Sequence, residues 1–129
     1  MAVSLGISRI GPKDDTDYSD GICFEDDGDY WFLYPFFERV YKQTDQMIDP
    51  YGDAVFEPAH LPDLLAVLEE AARLAQQQPA EWDLRLGWRG EEQVYCKVSK
   101  SKVLSMLTDF IALVKRAMKS GYNVVGYGD

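Results

Sequence analysis

The sequence has few of the residues that metal sites and nucleophilic active sites use. Its 129 residues include one histidine, His60, and two cysteines, Cys23 and Cys96. No Cys/His spacing typical of zinc, no Gly-x-Ser-x-Gly motif and no glycine-rich phosphate loop occurs. We therefore expect a protein that is not an enzyme and needs no cofactor, in which His60 serves only at the start of a helix.

The chain also lacks long apolar runs. No segment approaches the roughly 20 apolar residues of a membrane helix, and residues 1–10 lack the basic start of a signal peptide. These absences predict a cytoplasmic protein. Cys23 and Cys96 are then expected as reduced, buried thiols, with a disulfide between them as the alternative.

Basic residues are missing from residues 14–38. This segment carries nine acidic side chains, whereas the other 104 residues carry 13 acidic and 13 basic ones. The whole net charge of −9 therefore comes from one segment. Such a charge disfavours nucleic acid or an anionic membrane as a direct partner and favours a basic protein.

The acidic segment ends in aromatic residues, which are six of the eight side chains of residues 30–37. We expect Phe36 and Phe37 to enter the core. Aromatic side chains are frequent in binding hot spots, and we therefore expect Tyr30 or Trp31 to stay exposed for a partner. The predicted partner-binding surface consists of Asp14, Asp15, Asp17, Asp20, Glu25, Asp26, Asp27, Asp29, Tyr30 and Trp31.

The length and the 47% hydrophobic content fit a single α+β domain over residues 1–129. Hydrophobic periodicity predicts three helices and an antiparallel sheet of four to six strands. Strands are predicted over residues 3–7, 22–24, 82–88, 94–98 and 122–125. Helices are predicted over about residues 35–47, 61–78 and 101–120.

Local signals refine these elements. Residues 13–19 are predicted to form an acidic loop, and Asp27-Gly28 a hairpin turn. Residues 30–33 fit either a returning strand or the start of the first helix, and Pro35 suits a first helical turn. In the third helix, Ser101 is the predicted N-terminal cap and Gly121 the C-terminal one. The predicted core stripe of this helix is Val103, Leu104, Leu107, Ile111, Val114 and Met118.

Other functions for the acidic segment stay open. A calcium loop that begins at Asp14 places Glu25 at its last ligand position, but puts Ser19 where the loop needs glycine. A metal-dependent enzyme that uses the clustered carboxylates is one alternative to a binding module. A self-associating scaffold protein is another, because residues 97–119 carry six basic side chains and only Asp109 as an acid.

Four segments carry a resemblance to a known family: Gly21–Glu25, Tyr30–Pro35, Tyr51–Phe56 and Gly126–Asp129. In these segments the chain resembles a bacterial family of small, acidic, single-domain proteins of toxin–immunity loci. The resemblance spans nearly the whole chain, and its motifs are not catalytic. It implies a cytoplasmic immunity protein that binds and neutralises one toxin effector.

Overall fold

The computed structural model describes residues 2–9, 16–25 and 28–128, which contain three α-helices and six β-strands. The helices are α1 (Gly28–Thr44), α2 (Leu61–Gln76) and α3 (Lys100–Ser120). The strands are β1 (Ala2–Ser8), β2 (Thr16–Glu25), β3 (Ala54–Phe56), β4 (Glu81–Arg89), β5 (Glu92–Ser99) and β6 (Asn123–Gly128). None of the described helices is long and apolar enough to cross a membrane.

Four strands form an antiparallel sheet in the order β2-β1-β6-β3. Leu5 in β1 lies opposite Ile22 in β2 and Gly126 in β6. Strands β4 and β5 form a separate antiparallel hairpin, in which Trp82 lies opposite Val98. The predicted α+β class with three helices and antiparallel strands is confirmed, with the strands divided between two sheets.

The core joins one face of the larger sheet to the buried faces of all three helices. Phe24 of β2 is at the centre of this contact. Its ring centroid lies 5.9 Å from that of Phe37 in α1 and 6.0 Å from that of Phe110 in α3. The hairpin joins the same core through Trp82, whose ring lies 5.4 Å from that of Phe32.

Helix α1 begins seven residues before the predicted start. It includes Pro35, which cannot donate the helical hydrogen bond to the Trp31 carbonyl. The helix continues through this position because Tyr30, Leu33 and Phe37 lie on one face and are all buried. The strand alternative for residues 30–33 is therefore wrong, and the helix ends at Thr44 rather than near residue 47.

The predicted hairpin turn at Asp27-Gly28 is also wrong, because Gly28 is the first residue of α1. Glycine is needed here for a close approach of two backbones. A Cβ at this position would overlap the carbonyl oxygen of Lys97 in β5. The contact holds the start of α1 against the hairpin.

Helix α3 follows its prediction with a small rotation of the buried face. Val103, Leu107 and Val114 are buried as expected, and Leu104 and Ile111 are partly buried. Three further residues that the pattern did not assign to the core are buried: Phe110, Leu113 and Ala117. Met118 is 40% exposed. The capping position is Ser99 rather than Ser101, and Gly121 ends the helix with a left-handed φ of 70° as predicted.

Two further expectations, about the acidic loop and the cysteines, need correction. Residues 16–19 of the predicted acidic loop belong to β2. Cys23 is exposed and Cys96 is half-buried, and the two form no disulfide with each other. Cys23 faces away from the core because strand side chains alternate, and its neighbour Phe24 takes the inward position.

An exposed ion pair connects α1 to α2. The Arg39 guanidinium donates a hydrogen bond of 2.7 Å to the Glu70 carboxylate. This bond lowers the pKa of Glu70 from its ordinary value, with smaller contributions from the charges of Arg39 and Arg73 and an opposing one from desolvation. Because both side chains are about half exposed, salt screens the interaction.

We expect Phe110→Ala to destabilise the protein by about 3–5 kcal/mol, because it leaves a cavity beside Phe24. Met118→Ala in the same helix should cost less than about 0.5 kcal/mol, because this side chain is partly in solvent. Urea unfolding monitored by circular dichroism measures both. Similar losses for the two variants would contradict the observed orientation of α3.

We expect Glu70→Gln to lower stability slightly at neutral pH and not at all in acid. A carboxylate whose pKa is depressed on folding stabilises the protein above its ordinary pKa, and this contribution disappears as the pH falls through the lowered value. Thermal midpoints of the two proteins should therefore differ at pH 7 and converge below about pH 4. Glu69→Gln, at an exposed neighbour, is the control, and its thermal midpoint should match that of the unchanged protein at both pH values.

Candidate functional site

The predicted acidic surface is described only in part. Asp14, Asp15, Asp26 and Asp27 lie outside the described residues. Asp17 and Asp20 belong to β2, of which the structure describes the backbone at these positions. Glu25 ends this strand and is exposed, as the prediction for the acidic surface requires.

Asp29 does not belong to an exposed surface. Its side chain is 4% exposed and lies in the first turn of α1. One carboxylate oxygen is 3.3 Å from the Lys102 ammonium in the first turn of α3. A carboxylate also stabilises the N-terminal end of its own helix. The prediction that Asp29 faces a partner is therefore wrong, and the residue ties the starts of two helices together.

Tyr30 is buried as well. Only 4% of it is exposed, and its hydroxyl donates a hydrogen bond of 2.8 Å to the Ile48 carbonyl. Its neighbour Trp31 is half-buried. Of the two aromatic side chains expected at the surface, Trp31 is therefore the one that solvent reaches.

These two residues form one wall of a pocket of about 480 Å³ between α1 and the segment that follows it. Tyr34, Glu38 and Tyr41 continue the wall along the helix at spacings of three and four residues. The opposite wall comes from the segment after α1 and consists of Met47, Asp49, Pro50 and Tyr51. The volume lies within the range of small-ligand sites.

The ring planes in the pocket have fixed relative orientations. Tyr30 and Tyr34 are stacked, with a centroid distance of 6.2 Å and an angle of 16°. Trp31 meets both rings edge to face, at 5.3 and 5.4 Å. Tyr41 and Tyr51, at 47% and 66% exposure, stand at the mouth. The helix wall of the pocket therefore consists of rings in fixed orientations, and its mouth faces solvent.

The opposite wall is held by backbone geometry. Asp45, with a φ of 61°, turns the chain away from α1, and its N–H donates to the Tyr41 carbonyl. The carboxylate of Asp49 accepts a hydrogen bond of 2.8 Å from the Tyr51 N–H, which closes a tight turn. Strand β6 packs directly against this turn. A Cβ at Gly128 would lie 2.6 Å from the Asp49 carbonyl oxygen.

The charge of the pocket has one sign. Among its lining residues, all of them in the described part of the chain, Glu38 and Asp49 are acidic and none is basic. Glu38 is exposed and makes no ion pair with a described residue. Lys42 lies one turn further along α1 but does not line the pocket. The site therefore combines aromatic rings with negative charge, a combination that attracts organic cations.

Two other pockets offer less selective surfaces. One of about 370 Å³ is lined by both Asp109 and Arg116, whose charges oppose each other. The other, of about 280 Å³, lies beside Cys23 and Tyr127, and none of its described lining residues is charged. The aromatic pocket, meaning the one lined by residues of α1 and of the 47–51 segment, is thus the candidate site.

The described residues contain no group of three or more side chains able to hold a metal ion. His60 precedes α2, where its Nδ1 atom is buried and makes no hydrogen bond to the described residues. Its position before α2 agrees with the predicted role at a helix start. The aromatic pocket does not include it.

Sequence reasoning missed most of the pocket. Tyr34, Tyr41 and Glu38 follow Tyr30 at helical spacing, and this signal becomes visible only if α1 begins before Pro35. Asp49 and Tyr51 belong to a sequence typical of a turn, Asp49-Pro50-Tyr51-Gly52-Asp53, but no local pattern shows which helix this turn faces. Comparisons of the chain with protein-family models, curated proteins and solved structures gave no match.

We expect Gly128→Ala to destabilise the protein by roughly 1–3 kcal/mol, because the added methyl group collides with the backbone of the turn. Gly52→Ala in the same turn meets open space and should change stability by less than about 0.5 kcal/mol. Denaturant unfolding gives both values. In Gly128→Ala the NMR signals of Tyr51 should also shift, and unchanged signals and stability would contradict this packing.

Proposed function

We propose that the protein is a protein-binding module that binds a basic partner through the aromatic pocket and the acidic residues near it. The single observation that carries this proposal is the lining of the pocket, where aromatic rings occur with two carboxylates and, among the described lining residues, no basic side chain. Aromatic side chains supply binding energy at protein interfaces, and charge supplies rate and orientation.

The charge distribution supports the same partner. Nine acidic side chains and no basic one lie between residues 14 and 38, and Glu38 at the end of this segment also lines the pocket. A field of one sign steers an oppositely charged protein toward the surface that carries it. The buried Asp29 takes no direct part in this recognition.

We further propose an immunity function, in which the partner is a toxin effector that the protein neutralises in the cytoplasm. This step depends on the resemblance to proteins of toxin–immunity loci. Three of the four segments that carry the resemblance contribute to the pocket. Tyr30, Trp31 and Tyr34 line one wall, Tyr51 lines the other, and Gly128 packs against the turn that holds Tyr51.

The direct test is protection by this chain against the product of the gene beside its own. Co-expression should restore growth of cells that express this product, and the purified pair should form a complex. A neighbouring product that is neither bound nor neutralised would overturn the immunity proposal.

The binding surface is tested on the same complex by charge reversal. Glu38→Lys should lower the association rate by roughly threefold to tenfold at low salt and weaken its dependence on salt. Glu69→Lys changes the net charge equally, but at a residue of α2 outside the pocket. Surface plasmon resonance should therefore show a much smaller effect for this control. Equal effects of the two variants would mean that the pocket is not the interface.

A further inference from the structure

We infer that the aromatic pocket binds a guanidinium group, presented as an arginine side chain of the basic partner. The inference rests on the proposed function for the source of this group. The chemistry of the site can be tested without the partner.

The rings select a cation that is flat and weakly hydrated. A cation within about 6 Å of a tryptophan or tyrosine ring is attracted by the negative face of that ring. Arginine makes this contact more often than lysine because its planar guanidinium also stacks, whereas an ammonium group stays strongly hydrated. Trp31, Tyr34 and Tyr41 offer such surfaces on one wall, and Tyr51 offers another.

The carboxylates select the same group. Glu38 and Asp49 provide acceptor oxygens on opposite walls. One oxygen of Asp49 already accepts the Tyr51 N–H, while its second oxygen has further acceptor capacity. A guanidinium carries five N–H donors and can serve two acceptors at once, which a purely apolar side chain cannot.

The chain itself places two of its own arginines over aromatic rings, and one of them also contacts a carboxylate. Arg39 lies over the Phe36 ring at 5.7 Å and donates to the Glu70 carboxylate. Arg9 lies over the Tyr122 ring at 5.0 Å and donates to the hydroxyl of that tyrosine at 2.7 Å. In the aromatic pocket the rings and the carboxylates are present, and no arginine stands among the lining residues that the structure describes.

The test is a titration of the full chain with blocked amino acids, in which the NMR signals of the pocket residues report binding. N-acetyl-arginine methylamide should shift the Trp31 indole signal and the Tyr41 and Tyr51 ring signals. The citrulline analogue has nearly the same shape without the charge and should bind at least fivefold more weakly. The lysine analogue should also bind more weakly than arginine. Equal binding of citrulline, or tighter binding of lysine, would overturn the inference.

Matched variants locate the site. Tyr41→Ala and Glu38→Gln should each weaken binding of the arginine probe by roughly threefold or more. Tyr95→Ala and Glu69→Gln make the same changes at exposed residues outside the pocket and should leave binding unchanged. These side chains are at least partly in solvent, and circular dichroism verifies that every variant folds. Unchanged binding in Tyr41→Ala and Glu38→Gln would also overturn the inference.

Free L-arginine distinguishes the source of the group. An arginine that belongs to a polypeptide has no free α-carboxylate, and the acidic pocket should therefore prefer the blocked probe. Tighter binding of free L-arginine would instead identify a small-molecule site and overturn the assignment to a protein partner. If the neighbouring product binds but the arginine probe does not, the inference fails and the proposed function stands. If the arginine probe binds but the neighbouring product does not, the guanidinium site stands and the proposed function fails.

Discussion

The hydrogen bond from the Tyr30 hydroxyl to the Ile48 carbonyl connects the core to the candidate site. The Tyr30 ring packs on one side against Phe37, with a centroid distance of 5.7 Å, and on the other against Trp31 and Tyr34. The hydroxyl fixes the segment after α1, whose residues form the second wall of the pocket. Both walls therefore depend on one buried side chain. Removal of the hydroxyl would leave a buried carbonyl without its donor, at a cost of about 1–3 kcal/mol.

The fold was predictable where local chemistry and hydrophobic periodicity agree. Gly121 ends α3 as expected because a residue tolerant of positive φ fits there, and hydrophobic periodicity at residues 82–88 and 94–98 predicted the strands β4 and β5. The start of α1 was not predictable from local signals. Pro35 resembles a first-turn proline and Gly28 resembles a turn residue, but tertiary packing uses both inside the helix.

The candidate site could be predicted only in part, for a related reason. Trp31 was expected at the surface, and it lines the pocket. Asp29 was expected there too, and Tyr30 was the alternative to Trp31. Both are buried because α1 begins early enough to carry them into contacts with Lys102 and Ile48. The residues of the second wall are separated from these by a helix and a turn. Their position depends on how that turn packs, which a local sequence pattern does not encode.

The order of strands in the larger sheet has a consequence for synthesis of the chain. Strand β6 lies between β1 and β3, so residues 123–128 connect parts of the sheet that are made much earlier. These residues must emerge from the ribosome before β1 and β3 can belong to one sheet. Until then β1 exposes an unpaired edge of the kind that pairs with other chains. Nascent chains would meet this hazard at the β1 edge, which β6 covers in the finished protein.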